Sequence, residues 1–159
     1  MPDLIPRAKS FGVIVVENPT HFAFGELFVR RYGPERAAVR LPLRSLMDAG
    51  IPLVIATDGV VGIPVLNPYL SIMFATVYPG KPKESLTREQ AVTAFTATAA
   101  YAEFAENSKG KLEPGKLADL AVLSQDIFQV PPQDLPKTES VLTIVGGEIA
   151  FTSGLLTAK

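Results

Sequence analysis

Two short polar clusters contain the residue types best suited to chemistry in this sequence. Asn18-Pro-Thr-His21 contains the one histidine of the chain, and Thr57-Asp58 ends in a carboxylate that directly precedes a glycine. A carboxylate can ligate a divalent cation, or it can act as a general base that takes a proton from cation-bound water. These two clusters are therefore the candidate reactive positions of the chain.

Each cluster also has a simpler interpretation from its local sequence. Asp58 lies in an Asp-Gly pair, which is a common turn dipeptide because both residue types tolerate a left-handed backbone. The corresponding interpretation of His21 is a loop histidine that hydrogen-bonds to the backbone. Neither residue amounts to a site by itself, so the elements that position them decide between the interpretations.

Both clusters follow a short apolar run that predicts a buried parallel strand. Val13–Val16 precedes the first cluster and Leu53–Ala56 precedes the second, and each run follows a helical stretch that a glycine ends, at Gly12 and Gly50. Continuous apolar runs are typical of strands buried on both faces of a parallel sheet. This internal repeat predicts α/β architecture, in which reactive groups lie on loops beyond the carboxyl ends of strands.

Capping signals predict further helices before residue 110. Asn67-Pro68 is an N-cap followed by proline at the first helical position, and the spacing of the next apolar residues places them on one face of the helix. That face comprises Leu70, Met73, Phe74 and Val77. Thr87–Gln90 is a capping box that opens a helix ending near Phe95, and Thr98 is predicted to cap another short helix over residues 99–104.

The sequence changes character near residue 110, where turns and strands replace helices. Strands are predicted at 120–123, 141–145 and 148–151, and Gly146-Gly147 is a typical two-residue hairpin turn. We therefore divide the chain into two segments, 1–109 and 110–159.

Composition limits the functions that the chain can have. The 159 residues are 47% hydrophobic with a net charge of -1, which supports a packed core and disfavours nucleic acid or an anionic membrane as partner. A complete (β/α)₈ barrel needs about 250 residues. With no Cys and a single His, a His-rich or Cys/His zinc site is excluded. The longest apolar runs are far shorter than a membrane span, and cytoplasm is the expected location.

Several stretches are similar to the carboxyl-terminal part of the amidohydrolase superfamily, and they extend from about residue 3 to 151. The most specific is Leu-Glu-Pro-Gly-Lys-Leu-Ala-Asp-Leu at residues 112–120. The chain most resembles the branch of N-substituted formamide deformylases and imidazolonepropionase-like metal-dependent hydrolases. The remaining matching stretches are 43–50, 54–58, 67–68, 86–91, 110–123 and 145–148.

The resemblance implies an α/β fold that is part of a larger one. Residues 1–109 would form a partial (β/α)₈ TIM barrel, with Val13–Val16 as the seventh barrel strand and Leu53–Ala56 as the eighth, together with their helices. Residues 110–159 would form a small β-sandwich-type segment.

The resemblance also implies roles for the two polar clusters. The family hydrolyses C–N and related bonds with a metal-bound hydroxide, zinc being the expected metal. Asp58 would correspond to the catalytic aspartate that ends the eighth strand, binds the metal and transfers the proton. His21 and Asn18 would lie on the substrate-contacting loop after the seventh strand. The other metal ligands of the family lie upstream of the matching stretches, so the isolated chain is expected to hold no cofactor and to be inactive.

Two functional hypotheses follow. The first is a carboxyl-terminal fragment, or a truncated relative, of an amidohydrolase-type metal-dependent hydrolase acting on non-peptide C–N bonds. The alternative is a non-catalytic α/β module for interaction or self-assembly. Under both hypotheses the strands Val13–Val16 and Leu53–Ala56 have open edges. These edges predict a partner, which is a second copy in a homodimer, further copies in a higher oligomer, or the missing amino-terminal barrel portion. Apolar burial in that contact is expected around Val15, Ile55 and the face of Leu70, Met73 and Phe74.

Overall fold

The computed structural model describes residues 3–59 and 66–155. Its α-helices are α1 (Leu4–Ser10), α2 (Gly25–Tyr32), α3 (Pro34–Ala38), α4 (Leu43–Asp48), α5 (Pro68–Val77), α6 (Arg88–Phe95) and α7 (Ala97–Ala102). Its strands are β1 (Val15–Glu17), β2 (Leu53–Ile55), β3 (Leu120–Leu123), β4 (Ser140–Val145) and β5 (Glu148–Thr152). Short 3₁₀ helices cover Pro19–Phe24, Pro82–Glu84 and Pro132–Lys137.

β1 and β2 form the predicted parallel pair, with Val15 opposite Leu53 and Glu17 opposite Ile55. Burial on both faces is confirmed for β2, whose three residues are all buried. For the first strand this prediction is wrong, because Val16 is 55% exposed. The difference arises because α4, α6 and α7 all pack near β2.

The core lies between β2 and the helices that cover it. Leu43, Leu53, Ile55 and Tyr78 are each no more than 2% exposed. Tyr78 also places its ring edge-on against Phe22, with ring centroids 4.0 Å apart. The chain therefore buries a continuous apolar cluster around one strand of the parallel pair.

The apolar side of α5 that the sequence identifies is only partly buried, with Met73 packed against the core. The residues of α5 that are buried are Ser71, Ile72 and Ala75, whereas Val77 is 38% exposed. The helix packs between the Pro19–Phe24 and Pro132–Lys137 segments. These contacts set the rotation of α5 about its own axis. Apolar spacing could not show this, because α5 is apolar on more than one side.

The helix caps of α5 and α6 are confirmed, whereas the cap of α7 is wrong. Asn67 Oδ1 accepts hydrogen bonds from the backbone N–H groups of Tyr69 and Leu70. The capping box of Thr87 and Gln90 is complete. Thr98 lies inside α7, which begins directly after Thr96 because the backbone leaves helical geometry there, at φ -121° and ψ -81°.

The sheet β3-β4-β5 is antiparallel, and Leu123 of β3 packs against the core. The predicted hairpin turn is confirmed, because Gly146 and Gly147 both have positive φ, at 59° and 87°. Every residue of β5 is exposed.

Two cavities lie beside the strands. One of about 440 Å³ lies near β2, and a larger one of about 950 Å³ lies between β3 and the helices α5 and α6.

The structure confirms the α/β class, whereas the partial barrel, the sandwich and the division at residue 110 stay predictions. The predicted segments include 1–2, 60–65 and 156–159, which lie outside the described residues. In the ranges that the structure does describe, no helix is long and apolar enough to cross a membrane.

Candidate active site at the ends of the parallel strands

The structure brings His21 and Asp58 into direct contact. The Pro19–Phe24 3₁₀ helix follows β1 and carries the histidine, and the aspartate lies three residues beyond β2. His21 Nε2 is 3.1 Å from Asp58 Oδ2, across 37 residues of sequence. Two parallel strands end at the same edge of a sheet, so their following loops meet there.

The backbone around Asp58 is held in a conformation that directs its side chain. Its φ is +46°, in the left-handed region that aspartate tolerates better than most residues. The hydroxyl of Thr20 donates to the backbone carbonyl of Thr57 over 3.4 Å, which links the two loops a second time. The left-handed backbone that aspartate tolerates is therefore present at Asp58, and the carboxylate points to His21.

Asn18 lies at the base of the same loop. Its backbone carbonyl accepts a hydrogen bond of 2.9 Å from the N–H of His21. Its side-chain Oδ1 is buried and has no hydrogen-bond partner among the described residues. A buried acceptor without a partner is costly, since a lost hydrogen bond of this kind costs about 1–3 kcal/mol. The predicted site residues thus lie together, while their roles stay predictions.

A histidine and a carboxylate in contact can control the position of a proton. When Nε2 of His21 carries the proton, Asp58 accepts the hydrogen bond and Nδ1 remains a proton acceptor. Side-chain exposures of 26% for His21 and 50% for Asp58 leave both groups accessible to a small molecule. The pair is therefore suited to acid–base chemistry on a bound substrate.

The pair does not make a metal centre by itself. Catalytic zinc sites use about three protein ligands. Among residues 3–59 and 66–155, no group of three or more His, Asp or Glu side chains could hold a metal ion. His21 and Asp58 together supply two groups, so further ligands from outside these residues would be needed.

Arg40 contacts the Pro19–Phe24 3₁₀ helix, which carries His21. Its guanidinium lies over the rings of Phe22 and Phe28, at 5.5 and 4.9 Å from their centroids. The hydroxyl of Tyr78 donates to the Arg40 carbonyl over 3.0 Å. Cation–π contacts of this kind contribute about 0.5–2 kcal/mol each. The ring contacts of Arg40 connect the 3₁₀ helix to α2, and its hydrogen bond with Tyr78 connects it to the core.

Sequence reasoning missed Glu17, the last residue of β1. Burial raises its pKa to about 7, and its charge contributes to the raised pKa of Tyr78. The two side chains therefore interact electrostatically. One signal in the sequence could have placed Glu17 on the strand. Its carboxylate directly follows the apolar run Val13–Val16, so Glu17 continues the strand and does not begin the loop.

We expect Glu17→Gln to abolish a pH dependence of stability. The folded chain holds the Glu17 proton more tightly than the unfolded chain, whose value is near 4.5. Its contribution to stability is therefore full below pH 4.5, falls as the pH rises through about 7, and is lost above that. At pH 8 the variant should gain about 2 kcal/mol, after discounting for partial exposure.

Urea unfolding at pH 4.5 and pH 8 measures this effect. Glu35→Gln, on the exposed surface of α3, is the matched control and should not change the pH dependence. Equal stabilisation of Glu17→Gln at both pH values would show that removal of a proton from Glu17 is not the cause.

Comparison with known proteins places the chain in a family. A family model described as "Amidohydrolase family" matches residues 1–151. The chain belongs to this family. N-substituted formamide deformylase of Arthrobacter pascens is 28% identical over 151 residues, covering 91% of this chain and 28% of that protein. Imidazolonepropionase of Kosmotoga olearia is 31% identical over 145 residues, covering 91% and 32%. The chain thus spans less than a third of these curated relatives, and the predicted resemblance is confirmed.

Solved structures of other proteins share the fold of this chain. A metal-dependent hydrolase of Pyrococcus furiosus is 33% identical with a TM-score of 0.61, over 72% of this chain and 24% of that one. An adenosine deaminase of Xanthomonas campestris, solved with bound zinc, has a TM-score of 0.70 at 20% identity, over 100% and 36%. The second likeness shows the fold alone. These neighbours are amidohydrolase TIM-barrel proteins, and the chain is similar to part of each.

Proposed function

We propose that this chain is the carboxyl-terminal portion, or a truncated relative, of a metal-dependent amidohydrolase that hydrolyses non-peptide C–N bonds. The observation that carries the proposal is the 3.1 Å contact between His21 and Asp58 where two parallel strands end. Membership of the amidohydrolase family supports it, as do relatives named as a formamide deformylase and an imidazolonepropionase.

In this proposal each residue of the site has a separate task. Asp58 accepts a proton during hydrolysis and supplies one carboxylate ligand to the metal of the complete enzyme. His21 holds the carboxylate in place, and His21 and Asn18 contact the substrate.

The metal belongs to the complete enzyme in this proposal, and the isolated chain is inactive. Zinc is the proposed metal, because structural neighbours of the chain bind it, for example the adenosine deaminase. Further ligands come from barrel strands outside these residues, because His21 and Asp58 offer only two groups. The proposed location is the cytoplasm.

Metal analysis and a chimera test the proposal. After dialysis, we expect the isolated chain to retain less than stoichiometric zinc and to show no hydrolysis of an N-substituted formamide. A chimera in which this chain replaces the matching region of the Arthrobacter pascens deformylase should bind zinc and regain hydrolysis. Circular dichroism and a cooperative thermal transition verify that the chimera folds.

Two results would count against the proposal. One tightly held zinc ion in the isolated chain would mean that its own residues complete a site. A folded chimera that binds zinc and remains inactive would favour the non-catalytic interaction module.

A further inference from the structure

A third cavity, of about 250 Å³, lies beside α4, and neither His21 nor Asp58 lines it. Four parts of the chain itself form its wall: α1, the end of α3 with the segment that follows it, α4, and the turn of residues 81–84. Cavities that bind drug-sized ligands commonly measure about 300–1,000 Å³. This one therefore accommodates only a smaller molecule.

Hydrogen bonds within the chain fix the carboxylate of Glu84, which lines this cavity. Ser45 donates to that carboxylate from its backbone N–H over 3.0 Å and from its hydroxyl over 2.5 Å. The two bonds join the 81–84 turn to α4 across 39 residues of sequence. Because both donors belong to the chain, the position of the negative charge is set before any ligand binds.

The ammonium group of Lys81 lines the same cavity and is only partly satisfied. It donates to the backbone carbonyl of Arg40 over 3.3 Å and lies 5.8 Å from the centroid of the Tyr78 ring. In the described ranges, Lys81 forms no ion pair with a carboxylate. An ammonium group has three donors, so Lys81 retains donors for an anionic group.

The two opposite charges lie on one turn without pairing with each other. The backbone N–H of Glu84 donates to the carbonyl of Lys81 over 2.9 Å, so the two residues flank a single 3₁₀ turn. The remaining wall of the cavity is apolar and consists of Ile5, Ala38, Val39 and Pro42. The cavity thus combines one positive group, one negative group and an apolar surface.

We propose that this cavity binds a free α-amino acid with a small apolar side chain. The carboxylate of the ligand accepts from Lys81 Nζ, its ammonium group donates to Glu84, and its side chain contacts the apolar wall. Glu84 repels a simple anion and Lys81 repels a simple amine, so the two charges together favour a molecule that carries both. The proposal is independent of the hydrolase function.

Titration of the chain with L-valine, followed by two-dimensional NMR of the amide groups, tests the proposal. We expect a saturable shift of the Ser45 amide signal, because this N–H bonds to Glu84. Isovalerate lacks the ammonium group of valine, and isobutylamine lacks its carboxylate. Each should bind at least about tenfold more weakly, since each loses a hydrogen bond between charged groups.

Two variants remove the charges from the chain instead of from the ligand. Lys81→Met and Glu84→Gln keep most of the side-chain shape, and each should weaken L-valine binding at least about tenfold. Lys83→Met is the matched control, since Lys83 is exposed on the same turn and does not line the cavity. Cooperative urea unfolding verifies that each variant folds, and the ligand analogues test the same charges in the unaltered chain.

Three results would overturn the proposal. Without a saturable shift up to the solubility limit of L-valine, Lys81 and Glu84 would serve only to hold the fold. Equal binding of isovalerate or of isobutylamine would mean that one charge alone is recognised. Binding that survives both charge-removing variants would place the amino acid at another position on the chain.

Discussion

Asp58→Asn should lower kcat of the zinc-loaded chimera by about a thousandfold, within the range that a positioned general base contributes. The amide has nearly the same shape as the carboxylate but cannot accept a proton near neutral pH. Asparagine tolerates the left-handed backbone at this position, where φ is +46°. The fold should therefore survive, and steady-state kinetics together with urea unfolding would separate lost activity from lost stability.

A neutralised carboxylate elsewhere provides the matched control. Asp48 pairs with Arg44 on the surface of α4 at 2.7 Å, and its side chain is 60% exposed. Asp48→Asn should leave kcat unchanged. If Asp58→Asn retained full turnover, Asp58 would be a turn residue only, as its local sequence also permits.

Gly110→Ala should destabilise the chain by about 3 kcal/mol, combining backbone strain and steric overlap. Its φ is +91°, and an added Cβ would lie 2.6 Å from Ala100 Cβ and 3.1 Å from the backbone of Ala97. These atoms belong to α7, so relief requires the helix itself to move. Urea unfolding of the 159-residue chain measures the loss.

Gly115→Ala isolates the contribution of the backbone. Gly115 has a φ of +90°, and nothing lies within 4 Å of an added Cβ. It should therefore lose about 1 kcal/mol, from the strained backbone alone. Equal losses at the two positions would mean that the contact between Gly110 and α7 does not constrain packing.

Local sequence signals predicted the elements whose causes are local. The caps at Asn67 and Thr87 depend on hydrogen bonds between residues two or three apart, and both form. The glycine pair at 146–147 sets the hairpin in the same way. The meeting of His21 and Asp58 was accessible too, because the repeated strand-and-polar pattern placed both residues at the same edge of a parallel sheet.

Features that depend on tertiary contacts could not be predicted from the pattern. The rotation of α5 is set by distant segments, since Asn67 Nδ2 donates to the carbonyl of Pro136 over 2.8 Å. Helices α2 and α3 were missed altogether. The burial of Glu17 depends on packing by other elements, and its position after the apolar run indicated only that it continues the strand. The exposure of Val16 in β1 also depends on tertiary packing. The sequence could not show it, because the apolar run of β1 resembles that of a fully buried strand.

The pairing of β1 with β2 has a consequence for the order of folding. This parallel pair forms after the chain closes the whole loop of residues 18–52, whereas the hairpin of β4 and β5 closes a loop of two glycines. Loop closure costs more entropy as the loop lengthens, and nonlocal pairing slows folding. We therefore expect the hairpin to form early and the parallel pair late. His21 and Asp58 would then meet only in the final stage, so a partly folded chain would carry an intact hairpin without a reactive pair.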